Sequence, residues 1–194
     1  MLARLRHRSP AGRGRAPASL LALDLETTGF DPEVAEVLAI GTVPIVGDAV
    51  RIGAATSTLV RPARRSATEG IVAHHLLPSD VATAPPLAEV LPGLLRRISA
   101  HEALLVHHAS LDVTVLRRAC ETTGQRWPEP RVVDTVALIQ RFRRRQRATG
   151  SGQRMPRDLV GARAVLGLPP HQAHDAVADA VATAELYLAL RANL

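Results

Sequence analysis

The sequence contains few aromatic residues and no lysine. Its 194 residues include one Trp, one Tyr and two Phe, an aromatic content of 2%. Modules that bind single strands by stacking bases need several aromatic faces in one groove, so this composition disfavours them. All 24 basic residues are Arg, against 18 acidic residues, which gives a formal charge of +6. A chain of this charge is expected to bind an anionic partner such as a nucleic acid.

Cysteine and long apolar runs are also scarce. The single Cys120 excludes an intramolecular disulfide framework and a multi-cysteine zinc module. No run approaches the roughly 18 apolar residues that a membrane-spanning helix needs. Residues 1–18 lack the apolar centre of a secretory signal, which favours a disordered tail or a mis-called start codon over a transit peptide. We therefore expect a cytoplasmic protein with no membrane partner.

The basic residues concentrate in two segments. Residues 1–18 carry five Arg and residues 141–157 carry seven, and neither segment contains an acid. The rest of the chain holds the other 12 Arg and all 18 acidic residues, so it is acidic. We expect the two basic segments to attract a phosphate backbone with salt-sensitive affinity. The candidate substrate-binding residues in the second segment are Arg141, Arg143, Arg144 and Arg145.

Residues 19–194 are long enough for one domain with a sizeable core. Apolar runs bounded by turn residues predict three successive strands at 19–25, 34–46 and 50–60, joined as an antiparallel meander. Residues 103–106 predict one further strand. Helical spacing and capping residues predict helices at 87–98, 111–120, 135–147, 159–166 and 176–190. Strands first, then helices around one further strand, indicate an α/β domain.

Two carboxylates end the first predicted strand. Asp24 and Glu26 are two residues apart, so their side chains point to the same face. Adjacent carboxylates repel each other unless water or a cation relieves the repulsion. Mg²⁺ takes oxygen ligands from a few carboxylates together with substrate phosphates. Taken alone, the pair also fits a strand that runs into a solvated acidic turn.

Further acids follow at two helix starts. Asp112 comes after the strand 103–106, where it fits either a site or a favourable interaction with the helix dipole. Asp175 is placed as an N-cap, whereas Asp179 lies among apolar helix residues and is the better metal-ligand candidate. His174 can reach the same place, and with an unperturbed pKa near ~6.5 it suits a general base. Four carboxylates on three segments and one His are the groups that two-metal phosphodiester hydrolysis requires.

Three motifs in order resemble the DEDDh 3′–5′ exonucleases, a family of the ribonuclease H-like superfamily. They are LALDLETTGFDP, HHASLD after EGIVAHHL, and HDAVADA. The likeness is greatest to the proofreading epsilon subunits of bacterial DNA polymerase III, and it runs from about Ser19 to Leu190. The resemblance implies that Asp24, Glu26, Asp112 and Asp179 bind metal and that His174 is the general base. These five are the predicted catalytic residues.

The resemblance also implies a fold, cofactors and a product. The fold would be ribonuclease H-like, with a mixed central β-sheet flanked by α-helices. Two Mg²⁺ or Mn²⁺ ions would be bound, and nucleoside 5′-monophosphates would be released from the 3′ end of single-stranded DNA or RNA, with DNA favoured. Thr27, after the first Glu, would contact the terminal nucleotide, and His107 is a further candidate for substrate binding or for support of Asp112.

The second motif departs from the family pattern, in which His108 would be Asn and Leu111 would be Phe. The five predicted catalytic residues are untouched, so the departure affects inferences about the substrate cleft and not those about catalysis. Two other functions stay open. One is an RNA-trimming exonuclease with the same motifs. The other is a non-catalytic subunit that binds nucleic acid beside a DNA polymerase.

Overall fold

The computed structural model describes residues 16–63, 76–150 and 154–194. The predicted basic tail lies outside the described residues except for residues 16–18, and most of the EGIVAHHL segment also lies outside them. The strands in the described residues are β1 (Ser19–Thr27), β2 (Val37–Val46), β3 (Ala49–Val50), β4 (Thr56–Leu59), β5 (Ala103–Val106) and β6 (Arg131–Asp134). The helices there are α1 (Pro78–Ala82), α2 (Leu87–Ser99), α3 (Ala109–Thr123), α4 (Thr135–Thr149), α5 (Leu159–Val165) and α6 (Ala176–Ala192).

The strands form one mixed sheet with β1 in its interior. The order is β3-β2-β1-β5-β6, and β4 also pairs with β2. Strands β1, β3 and β4 are antiparallel to β2, as the meander predicts, whereas β5 is parallel to β1 and β6 is parallel to β5. The carboxyl ends of β1, β5 and β6 therefore meet at one edge of the sheet.

Helices cover both faces of β1, which explains why this strand is apolar almost throughout. Leu21, Leu23 and Leu25 point to one face and pack in a core with α2 and α3. Leu20 and Ala22 point to the other face and pack with residues of α6. A third cluster joins α4, α5 and α6. Within the described residues no helix is long and apolar enough to cross a membrane.

Two strand predictions need correction. The predicted strand at 50–60 is interrupted by a 3₁₀ turn at Ile52–Ala54, so the outer edge of β2 pairs first with β3 and then with β4. The predicted strand at 34–46 begins only at Val37, because the backbone N–H groups of Val34 and Ala35 donate to the carbonyl of Asp31 in a turn. The predicted helices agree with the structure to within three residues at either end.

Strand β6 and helix α1 were missed. The sequence predicts one strand after the meander, but β5 is followed by β6, which pairs with it over four residues. Strand β6 is short, and Arg131 and Val132 are exposed, so no apolar run marks it. Strand β6 matters because it places Asp134 at the edge of the sheet where β1 and β5 end.

Candidate active site

Three of the predicted ligands come together at the end of β1. Oxygen atoms of Asp24, Glu26 and Asp179 all lie within 4.8 Å of one another. Asp24 and Glu26 lie on β1, and the register of β1 against β2 shifts directly after Glu26. Asp179 is in the first turn of α6, which packs across the sheet. Oxygen-only donors at this spacing fit a hard divalent cation such as Mg²⁺ or Mn²⁺.

Asp112 lies close enough for its charge to act on the acidic site. It is in the first turn of α3 and is 3% exposed. Burial raises the pKa of Asp24 well above its usual value, and the charge of Asp112 raises it further, ahead of the charge of Asp179. Burial also raises the pKa of Asp112 well above its usual value, and the charges of Asp134 and Glu26 add to this shift. A bound cation would relieve this repulsion and favour the ionised carboxylates.

The start of α6 is held against the sheet next to Asp24. Asp24 pairs in register with Gly41 of β2. A Cβ atom at Gly41 would lie 1.9 Å from the carbonyl oxygen of Ala176, the first residue of α6, so only glycine permits this approach. Asp175 caps the helix, as predicted, by accepting a hydrogen bond of 3.0 Å from the backbone N–H of Ala178. The contact therefore sets the distance from β1 to Asp179.

His174 lies at the open side of the site, just before α6. His174 has a left-handed backbone, with φ of 65°, and it is exposed. The backbone N–H of His174 donates to Oδ2 of Asp179 at 2.8 Å. This bond fixes the main chain of His174 next to the carboxylate of Asp179.

His171 is a site residue that the sequence analysis missed. Its Nε2 is hydrogen-bonded to Oδ1 of Asp179 at 2.8 Å, and both side chains are largely buried. Burial raises the pKa of Asp179, while the hydrogen bond from the His174 backbone and then the contact with His171 lower it. The signal was the position of His171 three residues before His174, in a loop that leads directly into the third motif.

Asp134 organises the other side of the site. It caps α4, as predicted, by accepting a hydrogen bond of 2.8 Å from the backbone N–H of Val136. It also accepts from the backbone N–H groups of His108 and Ala109 at 3.3 and 3.2 Å, so it holds the start of α3 as well. His108 has a left-handed backbone with φ of 71°, a conformation for which both Asn and His are enriched. The departure from the family's Asn therefore fits the local geometry.

Thr27 and His107 make internal contacts. The Thr27 hydroxyl donates to the carbonyl of Gly29 at 2.8 Å. Nδ1 of His107 is 2.7 Å from Oγ1 of Thr135, and that hydroxyl donates to the carbonyl of Val106, so Nδ1 is the donor to Thr135. Burial, followed by the neighbouring His108, lowers the pKa of His107 to about 4. His107 is therefore a neutral ring at pH 7 that packs between β5 and α4.

The four candidate arginines do not act as one group. Arg143 and Arg144 line a cleft beside α4. Arg141 is exposed and does not line that cleft, and Arg145 donates a hydrogen bond to the carbonyl of Leu194.

The comparison with protein families decides the affiliation of the chain. The model of the RNase T family, described as "Exonuclease", matches residues 21–187 and so includes all five predicted catalytic residues. The chain belongs to the exonuclease family. A relative in this family context is the DNA polymerase III subunit epsilon-like protein of Rhodobacter capsulatus, which is 31% identical over 89% of this chain. The chain spans only 23% of the length of that relative.

Solved exonuclease structures share the fold. A structure of exonuclease X in complex with 5′-overhanging duplex DNA superposes with a TM-score of 0.66, at 21% identity, over 89% of this chain and 91% of that one. The zinc-bound complex of Escherichia coli exonuclease I with single-stranded DNA gives a TM-score of 0.74 at 18% identity, over 90% of this chain and 41% of that one. The predicted ribonuclease H-like fold with a mixed sheet is thereby confirmed.

Proposed function

We propose that the protein is a metal-dependent 3′–5′ exonuclease that hydrolyses the terminal phosphodiester bond of single-stranded nucleic acid, DNA favoured, and releases nucleoside 5′-monophosphates. The observation that carries the proposal is the convergence of Asp24, Glu26 and Asp179 on one point at the end of β1. Membership of the exonuclease family supports the reaction class. Exonuclease neighbours solved with DNA support a nucleic-acid substrate.

The proposed metal ligands are Asp24, Glu26, Asp112 and Asp179, which would hold two Mg²⁺ or Mn²⁺ ions. Such ions, when bound, stabilise the charge on the attacking and leaving oxygens of a phosphodiester. Strand β1 fixes two of the ligands, while α3 and α6 each bring one to the same edge of the sheet. The raised pKa values of Asp24 and Asp112 support this role, because carboxylates crowded and buried in this way are stabilised by a cation.

His174 is the proposed general base. Its backbone N–H donates to Asp179, which holds the residue beside the carboxylates, and its ring would take a proton from the attacking water. His171 is the positioning residue in this proposal, since it holds the other oxygen of Asp179. Thr27 and His107 are proposed to position the terminal nucleotide; their hydrogen bonds to Gly29 and Thr135 hold the backbone next to Glu26 and after β5.

The substrate and the partner are the finer parts of the proposal. The name of the Rhodobacter relative supports action beside a DNA polymerase. The name of the family model, RNase T, favours RNA trimming as the second candidate. Competition between labelled DNA and RNA strands of equal length distinguishes the two substrates.

The test is a nuclease assay with purified protein and 3′-ended oligonucleotides. We expect nucleoside 5′-monophosphates to appear with Mn²⁺ or Mg²⁺ and not with a chelator, and Asp24→Asn to lower the rate at least ~100-fold. Arg96→Gln, an exposed change on α2, is the matched control and should keep the wild-type rate. An intact oligonucleotide in both metals would contradict the proposal.

A further inference from the structure

A second concave surface lies along α4, outside the carboxylate site. We call it the arginine cleft, a space of about 780 Å³ between the C-terminal half of α4 and the segment that leads to α5. Its lining residues are Gln140, Arg143, Arg144, Arg147, Arg154, Pro156 and Arg157. The α4 residues follow helical spacing, so they share one face, and Arg154 and Arg157 line the cleft from its other wall, the segment before α5.

The charge of the arginine cleft is uncompensated. Across residues 16–63, 76–150 and 154–194, no carboxylate forms an ion pair with any of its five arginines. The acid that follows directly in the sequence, Asp158, is occupied as the N-cap of α5, where it accepts a hydrogen bond of 2.7 Å from the backbone N–H of Gly161. Arginines that converge from two segments on one concavity repel each other unless an anion lies between them.

The cleft lies on the helix that begins beside the carboxylate site. Helix α4 begins at Thr135, directly after Asp134, whose charge acts on Asp112. From Thr135, Arg143 is eight residues along the helix, a rise of about 12 Å. On the other wall, the backbone of Arg157 lies close enough to affect the pKa of His107. A strand whose end lies at the carboxylates therefore has to extend about 12 Å along α4 to reach the cleft.

We propose that the arginine cleft binds the phosphodiester backbone of a single strand, upstream of the nucleotide that lies at the carboxylate site. The identity of the strand rests on the proposed function. Guanidinium groups donate two parallel hydrogen bonds to phosphate oxygens, and contacts of this kind carry no sequence information. The scarcity of aromatic side chains agrees with a grip on the backbone rather than on stacked bases.

The test measures binding without hydrolysis. Fluorescence anisotropy of labelled oligo-dT and oligo-rU, in a chelator and over a range of salt, gives the dissociation constant and its salt slope. We expect Arg143→Gln/Arg144→Gln/Arg147→Gln to lower the slope by about 2, because each phosphate contact on a single strand contributes about 0.7. At 0.1 M salt this slope change weakens binding about 100-fold. The opposite-wall variant Arg154→Gln/Arg157→Gln should lower the slope by about 1.4.

The matched control removes the same charge elsewhere. Arg51→Gln/Arg96→Gln/Arg126→Gln changes three exposed arginines outside the cleft, and it should bind within about threefold of wild type because distant exposed charges are screened. Equal losses for cleft variants and control would overturn the proposal. Losses on both strand types identify the shared backbone as the ligand, and a loss confined to one type assigns the cleft to that strand. Because the assay needs no turnover, an inactive protein that still shows the slope change contradicts the proposed function alone.

Discussion

The contact between Gly41 and α6 gives the sharpest test of how the carboxylate site is assembled. In Gly41→Ala the new methyl group would lie 1.9 Å from the carbonyl oxygen of Ala176 and 2.4 Å from the backbone N of Val177. Ordinary van der Waals contact begins near 3.4 Å, so the start of α6 must move away by about 1.5 Å. Both obstacles are backbone atoms, so no side-chain rotation relieves the clash. Asp179, one turn along α6, moves with the helix.

A displacement of this size predicts a large loss of activity with a modest loss of stability. Misplacing a catalytic group by 1 Å can cost ~100-fold in rate, and overpacking costs typically about 1–3 kcal/mol of unfolding free energy. We therefore expect Gly41→Ala to hydrolyse a 3′-ended oligonucleotide about 100-fold more slowly and to bind Mn²⁺ more weakly by calorimetry, with a Tm lower by several degrees.

Gly53→Ala is the matched control for this experiment. A Cβ atom at Gly53 has no heavy atom within 4 Å, and the residue lies in the 3₁₀ turn after β3. We expect it to retain wild-type activity and metal affinity. Wild-type turnover and Mn²⁺ affinity in Gly41→Ala would refute the reasoning, because they would mean that the position of α6 does not determine the site.

Two further predictions concern stability. Burial raises the pKa values of Asp24 and Asp112 above those of the unfolded chain, so the metal-free protein binds more protons when folded and loses stability as pH rises from about 4. In a chelator, Asp24→Asn/Asp112→Asn should therefore raise Tm above that of wild type by more at pH 7 than at pH 5, a comparison in which the opposite effect of His107 cancels, and Mn²⁺ should raise the wild-type Tm more at pH 7. An equal Tm difference between the two proteins at both pH values would contradict the prediction. Arg163, 2% exposed, is paired with Glu185 at 2.7 Å and donates to the carbonyl of Ala182 in α6 and to that of Pro169. Arg163→Ala leaves these carbonyls without their donor and should therefore cost about 1–3 kcal/mol in urea unfolding, whereas a cost below about 0.5 kcal/mol would contradict a structural role.

The elements with long apolar runs or clear capping residues could be predicted from the sequence. The interior strand β1 and helix α6 follow from uninterrupted apolar residues and from the cap at Asp175, and the structure contains both within two residues of the predicted ends. An acid that lies among apolar residues, such as Asp179, needs a partner when it is buried. This requirement made the acid a candidate metal ligand before the fold was known. These features are local, so they are visible without a fold.

Contacts between distant segments could not be predicted in this way. The hydrogen bond from His171 to Asp179 depends on how the loop before α6 folds back, which no periodicity encodes. Which arginines of the segment 141–157 line the cleft depends on the face of α4 that each one occupies. The cleft also includes Arg154 and Arg157, which lie beyond that helix. The role of Gly41 becomes visible only when α6 is seen crossing β2.

The interior position of β1 has a consequence for how the site opens. Strand β1 pairs with β2 along its whole length and with β5 over Leu20–Ala22, whereas the third motif reaches the site through a loop and the first turn of α6. Sub-global openings start in segments with the fewest such bonds, so amide exchange near Asp179 should be faster than near Asp24. Metal ions bound by both Asp24 and Asp179 would link a strand with slow amide exchange to a helix end with fast amide exchange. Metal binding would then slow amide exchange at the start of α6 more than in β1.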